Sequence, residues 1–386
     1  MPESSYLKQD FLLDPQITFL NHGSFGATPR PVFETYQNWQ RELERQPVEF
    51  LGRRAAELLK TARMALADYL GTAENELAFV TNTTVGINII ARSLDLGPGD
   101  TILTTNHEYG AMDKTWQFLA LRSGFGYRHI PISLPIESPA GFVADLTAGL
   151  SRPPKAIFIS HITSPTAQIF PIKEVIQYAQ ENGILTIIDG AHAPGQLPLN
   201  LTDLGADFYV GNLHKWLCAP KGAAFLYAAP RVRSLIHPLT VSWGWEPEDN
   251  SPQRLTHYLE WEGTRDISAF LSVPAAITYQ HQHDWPTVRP TAHHLARETI
   301  ARIERLTGLP SLYSAEHPAF CQMAAARLPK ATHLEALKTT LYDTYRVEVP
   351  LIDWEDEKLL RISFQGYNTR EDADRLLAAL EKELKD

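Results

Sequence analysis

The stretch Gly183-Ile184-Leu185-Thr186-Ile187-Ile188-Asp189-Gly190-Ala191-His192 is an apolar run that ends in a carboxylate. A second run, Ala206-Asp207-Phe208-Tyr209-Val210-Gly211-Asn212-Leu213-His214-Lys215-Trp216, ends in a His-Lys pair. Short apolar runs bounded by glycine and polar residues read as strands buried on both faces. Asp189 and Lys215 thus stand at or just past the carboxyl ends of two buried strands, where open α/β sheets bind their ligands.

The same pattern extends on both sides. Leu77–Thr81, Thr101–Thr105, Ala156–Ser160, Leu185–Asp189 and Phe208–Gly211 read as strands, with helical stretches such as Thr84–Leu94 and Ile172–Glu181 between them. Such alternation predicts an α/β fold with a mainly parallel sheet covered by helices. Ala223–Tyr227, after the Pro220-Lys221-Gly222 turn, adds a strand whose direction the pattern leaves open. Beyond about Thr264 the pattern changes. Val347–Ile352 and Leu359–Ser363 read as strands of a separate sheet, and Thr369-Arg370-Glu371-Asp372 opens a last helix with an N-cap and an acidic first turn. The expected division is a large domain over 21–269 and a small α+β domain over 270–386, with 1–20 packing against the small one.

The chain has 386 residues, 44% hydrophobic and 21% charged, an ordinary composition for a globular enzyme of two domains. Its net charge of −10 is the wrong sign for a nucleic-acid partner. No apolar run reaches the roughly 20 residues needed to span a bilayer, and Met1–Asp10 lacks the basic and apolar parts of a signal peptide. Cys218 and Cys321 make no disulfide framework. A cytoplasmic location is expected, with neither nucleic acid nor membrane as partner. His107-Glu108 lacks the second histidine at helical spacing that a zinc site of that type needs, because position 111 is alanine. No metal is expected.

A lysine and a carboxylate at neighbouring strand ends are what pyridoxal 5'-phosphate (PLP) chemistry requires. The lysine forms a Schiff base with the aldehyde, and the acid pairs with the pyridinium nitrogen. Thr81-Asn82-Thr83-Thr84-Val85-Gly86 follows a strand and opens a helix, where backbone N–H groups and hydroxyls favour an anion, although threonines there also serve as caps.

With these blocks, and with Phe19–Gly26 and Leu360–Ser363 at either end, the chain resembles the class V aminotransferases. These are fold type I PLP enzymes, and the likeness is to the isopenicillin N epimerase-like branch. The resemblance implies catalytic roles for Lys215, Asp189 and Tyr109. Lys215 carries PLP, Asp189 sits against the ring nitrogen and Tyr109 stacks on the ring, where many relatives have histidine. It places His192 at the phenolic oxygen and Thr83, Thr84, Asn212 and His214 at the phosphate. Gly263 and Thr264 reach across a homodimer interface to the partner's phosphate, so the active site lies at that interface. Arg361 takes the α-carboxylate of a small amino-acid-like substrate, as a planar guanidinium suits a carboxylate, and Asn21, His22 and Gly23 belong to a loop that closes over it. Val241–Trp245 is aromatic enough to line a pocket or a dimer contact.

The implied activity is at the α-carbon of an amino acid or small peptide-like substrate, epimerase-like. A C–S β-lyase acting on cysteine or cystine, or a transaminase, remains an alternative. Cysteine desulfurases carry a nucleophilic cysteine on a loop before the carboxylate arginine; His333–Arg361 contains none, which disfavours that activity.

Overall fold

The computed structural model describes residues 7–315 and 319–384. Strand β1 (Thr18–Phe19) stands apart near the start of the chain. Seven more follow: β2 (Leu77–Val80), β3 (Thr101–Thr105), β4 (Gly126–Ile130), β5 (Ala156–Ser160), β6 (Leu185–Asp189), β7 (Phe208–Asn212) and β8 (Ala224–Ala228). They form one sheet in the order β2-β8-β7-β6-β5-β3-β4. Only β8 runs against its neighbours, pairing antiparallel with both β2 and β7. This settles the direction that the sequence pattern left open. Strands β5 to β8 are buried almost end to end, because helices cover both faces of the sheet.

The last strands are β9 (Met323–Leu328), β10 (Val347–Glu348), β11 (Leu351–Trp354) and β12 (Glu357–Ser363). Strands β11, β12 and β9 make a small antiparallel sheet, whereas β10 pairs in parallel with β1. The continuous strand expected over Val347–Ile352 is therefore two strands in two sheets. Pro350 between them has no N–H for a ladder. The final helix, Arg370–Glu383, starts with the Thr369 N–H held by Asp372 Oδ2 at 3.0 Å.

Among the described residues two apolar cores result. The larger surrounds the central sheet and includes Leu7, Phe11 and residues through Trp285. The second takes Leu20, the long helix from Ala292 onward and the inner faces of β9 and β12. The helix Trp285–Thr307 thus contributes to both cores. Among the described residues, no helix is long and apolar enough to cross a membrane.

Candidate active site

A cavity of about 400 Å³ opens at the carboxyl ends of the central strands. Ser160 ends β5, Asp189 ends β6 and Asn212 ends β7, and all three line it together with Lys215. At its β2 end, Asn82 caps the helix Thr83–Ser93 by accepting from Val85 N–H at 2.9 Å. Asn212 Oδ1 takes the Thr83 N–H at 3.0 Å, which ties that helix start to the end of β7. Thr83 Oγ1 is buried in the cavity wall and has no hydrogen-bond partner among the described residues. An orphaned hydroxyl beside helix-terminal amides is a place for an anion's oxygen. Thr84 lies beside it on the same wall.

Lys215 Nζ is 3.2 Å from His192 Nε2. Burial pushes the lysine down to about 7, the nearby Arg361 charge adds to the shift and Asp189 opposes it. Asp189 Oδ1 accepts from Ala191 N–H at 2.9 Å. Burial raises its carboxyl, while Ala191 and Lys215 pull the other way. A buried cationic ring nitrogen would add to the counter-charge that Lys215 gives this carboxylate. His214 Nδ1–H donates to Ala223 O at 3.1 Å, and burial lowers the ring to about 4. Tyr109, half exposed, forms part of the rim and precedes the helix Gly110–Ser123.

Arg361, on β12, enters the cavity from the small sheet. Its Nη1 donates to Ser164 O at 2.6 Å and Ser164 Oγ at 3.2 Å, and Nη2 donates to Ser24 Oγ at 3.3 Å. Among the described residues no carboxylate lies within ion-pair distance of it, and its Nε has no partner. Burial brings it down to about 10. A buried guanidinium without an anion is costly unless a ligand brings one.

Two expectations about the substrate loop need correction. His22 does not face the cavity. It is fully buried behind the lysine turn, with Nε2 3.0 Å from Lys215 O and Nδ1 3.0 Å from Tyr367 OH. Asn21 is also held back, by Glu348 at 2.9 Å and Ser24 at 2.5 Å. Gly23, the third residue of the expected loop, does line the cavity, and Ser24 and Phe25 join it there. Gly263 and Thr264 do not line the cavity of their own chain, and Thr264 is exposed. Trp243, at 92% exposure, stands on the surface.

Sequence reasoning missed Ser24, Ser164 and Lys221, which also line the cavity. The only signal for Ser164 was a polar loop directly after a buried strand.

The buried lysine and carboxylate, the anion-ready helix start and the unpaired arginine share one cavity on a mainly parallel sheet. The residues fit pyridoxal phosphate, and the protein is a PLP-dependent enzyme of fold type I. It belongs to the class V aminotransferase family, whose sequence model matches residues 26–376. The chain is similar to isopenicillin N epimerase of Amycolatopsis lactamdurans, 37% identical over 97% of each chain. It is also similar to that of Streptomyces clavuligerus, at 35% over 96% of each. Among solved structures, cysteine desulfurase from Thermococcus onnurineus matches with a TM-score of 0.84 at 20% identity, covering 100% of this chain and 99% of the other. That likeness supports the fold alone.

Proposed function

We propose that this enzyme moves the α-proton of an amino acid, or of a small peptide-like molecule with a free amino-acid end, as an epimerase. The unpaired Arg361 guanidinium, opening into the same cavity as Lys215 and Asp189, carries the reading. The similarity to the two epimerases supports the reaction type.

Pyridoxal phosphate, when bound, supplies the electron sink that makes the α-hydrogen acidic. Lys215 anchors that group, and its amine, buried and easily left unprotonated, moves the α-proton. Asp189 keeps a proton on the ring nitrogen. His192 bonds the phenolic oxygen. Thr83, Thr84, Asn212 and His214 hold the phosphate. Tyr109 stacks against the ring and its hydroxyl delivers the second proton that inversion requires. Arg361, steadied by Ser24 and Ser164, holds the substrate carboxylate. Gly263 and Thr264 serve the partner's site in a homodimer, a reading supported by the exposed Thr264 and the exposed Trp243 upstream. The enzyme works in the cytoplasm, where the free thiols Cys218 and Cys321 persist.

The test is incubation of the PLP-loaded enzyme in deuterated water with a panel of L- and D-amino acids and cysteine S-conjugates. Interconversion of enantiomers with α-deuterium uptake supports the proposal. Pyruvate and sulfide without interconversion replace it with a C–S lyase, and a keto acid replaces it with a transaminase. Lys215→Ala should lose borohydride-reducible cofactor and turnover together. Tyr109→Phe should keep α-deuterium uptake from one enantiomer while interconversion collapses; full interconversion would leave Tyr109 as a stacking residue only.

A further inference from the structure

Trp216, next to the lysine, is wholly buried, and its indole N–H donates to His192 Nδ1 at 3.2 Å. The other ring nitrogen of His192 is the one 3.2 Å from Lys215 Nζ. An indole nitrogen is only ever a donor, so Nδ1 must accept and carries no hydrogen. In a neutral imidazole the proton then sits on Nε2. We infer that Trp216 is a positioning residue that locks His192 as the Nε2–H tautomer, so that Lys215 faces a hydrogen-bond donor.

The consequence for Lys215 is chemical. An ammonium has three donors and no acceptor, whereas a neutral amine has a lone pair that can take the His192 proton in a hydrogen bond. The chain from Trp216 through His192 therefore favours the neutral amine. The same donor suits an anionic phenolic oxygen, a part of the argument that rests on the proposed cofactor site. Both partners are fixed from behind. Gln196 Nε2 donates to His192 O at 2.7 Å, and Gln280 Nε2 donates to Trp216 O at 2.9 Å. Charged and titratable groups around Lys215 are Asp189, Arg361, His192 and His214. Burial keeps His192 well below its usual value, with Lys215, Arg361 and His214 adding to the shift. The ring is therefore neutral and carries a single proton.

The test uses the full chain without cofactor. Nitrogen-15 NMR of the His192 ring, assigned by its loss in His192→Gln, should show hydrogen on Nε2 and none on Nδ1. Hydrogen on Nδ1 overturns the inference. Trp216→Phe keeps an aromatic ring and removes the donor, freeing His192 to turn a lone pair towards Lys215. The Lys215 titration, read by pulse acetylation and mass spectrometry across pH, should then move up, with labelling at neutral pH falling about fivefold, the worth of one hydrogen bond. An unchanged Lys215 titration in folded Trp216→Phe also overturns it. If that variant does not fold, β-(3-benzothienyl)alanine at position 216 replaces N–H by sulfur in nearly the same shape and is read in the same way. Both readouts are made before PLP is added. A correct tautomer in a protein that fails to capture PLP would sink the proposed function and leave this inference standing.

Discussion

At the scale of single residues, charge and burial set the behaviour of the site. Arg361→Ala should lower kcat/KM by about 100-fold, chiefly through KM, because the carboxylate loses a two-pronged partner. Arg361→Lys should recover only part, as an ammonium cannot match the fork. Steady-state kinetics on any turned-over amino acid decides this. Glu108 offers a pH test of stability. Burial pushes it up from 4.5 to about 8, although Thr105 and Ser160 donate to it. The folded state keeps its proton between those values while the unfolded state has lost it. Stability from this group is therefore complete below 4.5 and gone as pH rises through about 8. In Glu108→Gln the amide oxygen can still accept from Ser160 and the NH2 can donate to Thr105. Its melting temperature should stay flatter than wild type across this window in pH-dependent thermal scans. Asp189 and Lys215 are legible in the sequence because each terminates an apolar run. The direction of His22 is not legible: Asn-His-Gly fixes no side-chain orientation, and the ring turns towards Tyr367 and the backbone of Lys215. Trp216 reads as core until its N–H is seen to have a partner.

At the scale of elements, tight turns hold the lysine where it is. Gly195 has φ +93°, and a Cβ there would strike the Trp216 carbonyl group. Gly195→Ala should cost roughly 1–3 kcal/mol and disturb the Trp216–His192 contact. Denaturant melts and tryptophan fluorescence would show both effects, and a variant unchanged in each would refute the prediction. The central strands are legible because both their faces are apolar. Strand β4 is not, since Gly126-Tyr127-Arg128-His129-Ile130 forms a mostly exposed edge with no hydrophobic signature. Strand β9 hides for a different reason: Met323-Ala324-Ala325-Ala326-Arg327-Leu328 has no β-branched residue and would suit a helix equally well. Its pairing with β12 across the small sheet decides the matter, and local sequence carries no record of that neighbour.

At the scale of the whole molecule, the predicted dimer makes Thr264 testable from a distance. Thr264→Ala should weaken PLP binding by roughly ten- to a hundredfold, the worth of one charge-assisted hydrogen bond, although Thr264 does not line its own chain's cavity. Mixing it with a Lys215→Ala chain should restore one competent site per mixed dimer, and a failure of that complementation would argue against shared sites. The N-terminal segment has a wider effect. Thr18 and Phe19 pair with Val347 and Glu348, Asn21 bridges to Ser363, and His22 then supports the lysine turn. A nascent chain emerging from the ribosome thus holds Thr18–Phe19 unpartnered until the residues around 347–363 arrive. Chains stalled before that point should fail to retain PLP even with Asp189 and Lys215 already outside the tunnel, so that maturation of the enzyme waits on synthesis of the strand residues that receive Thr18–Asn21.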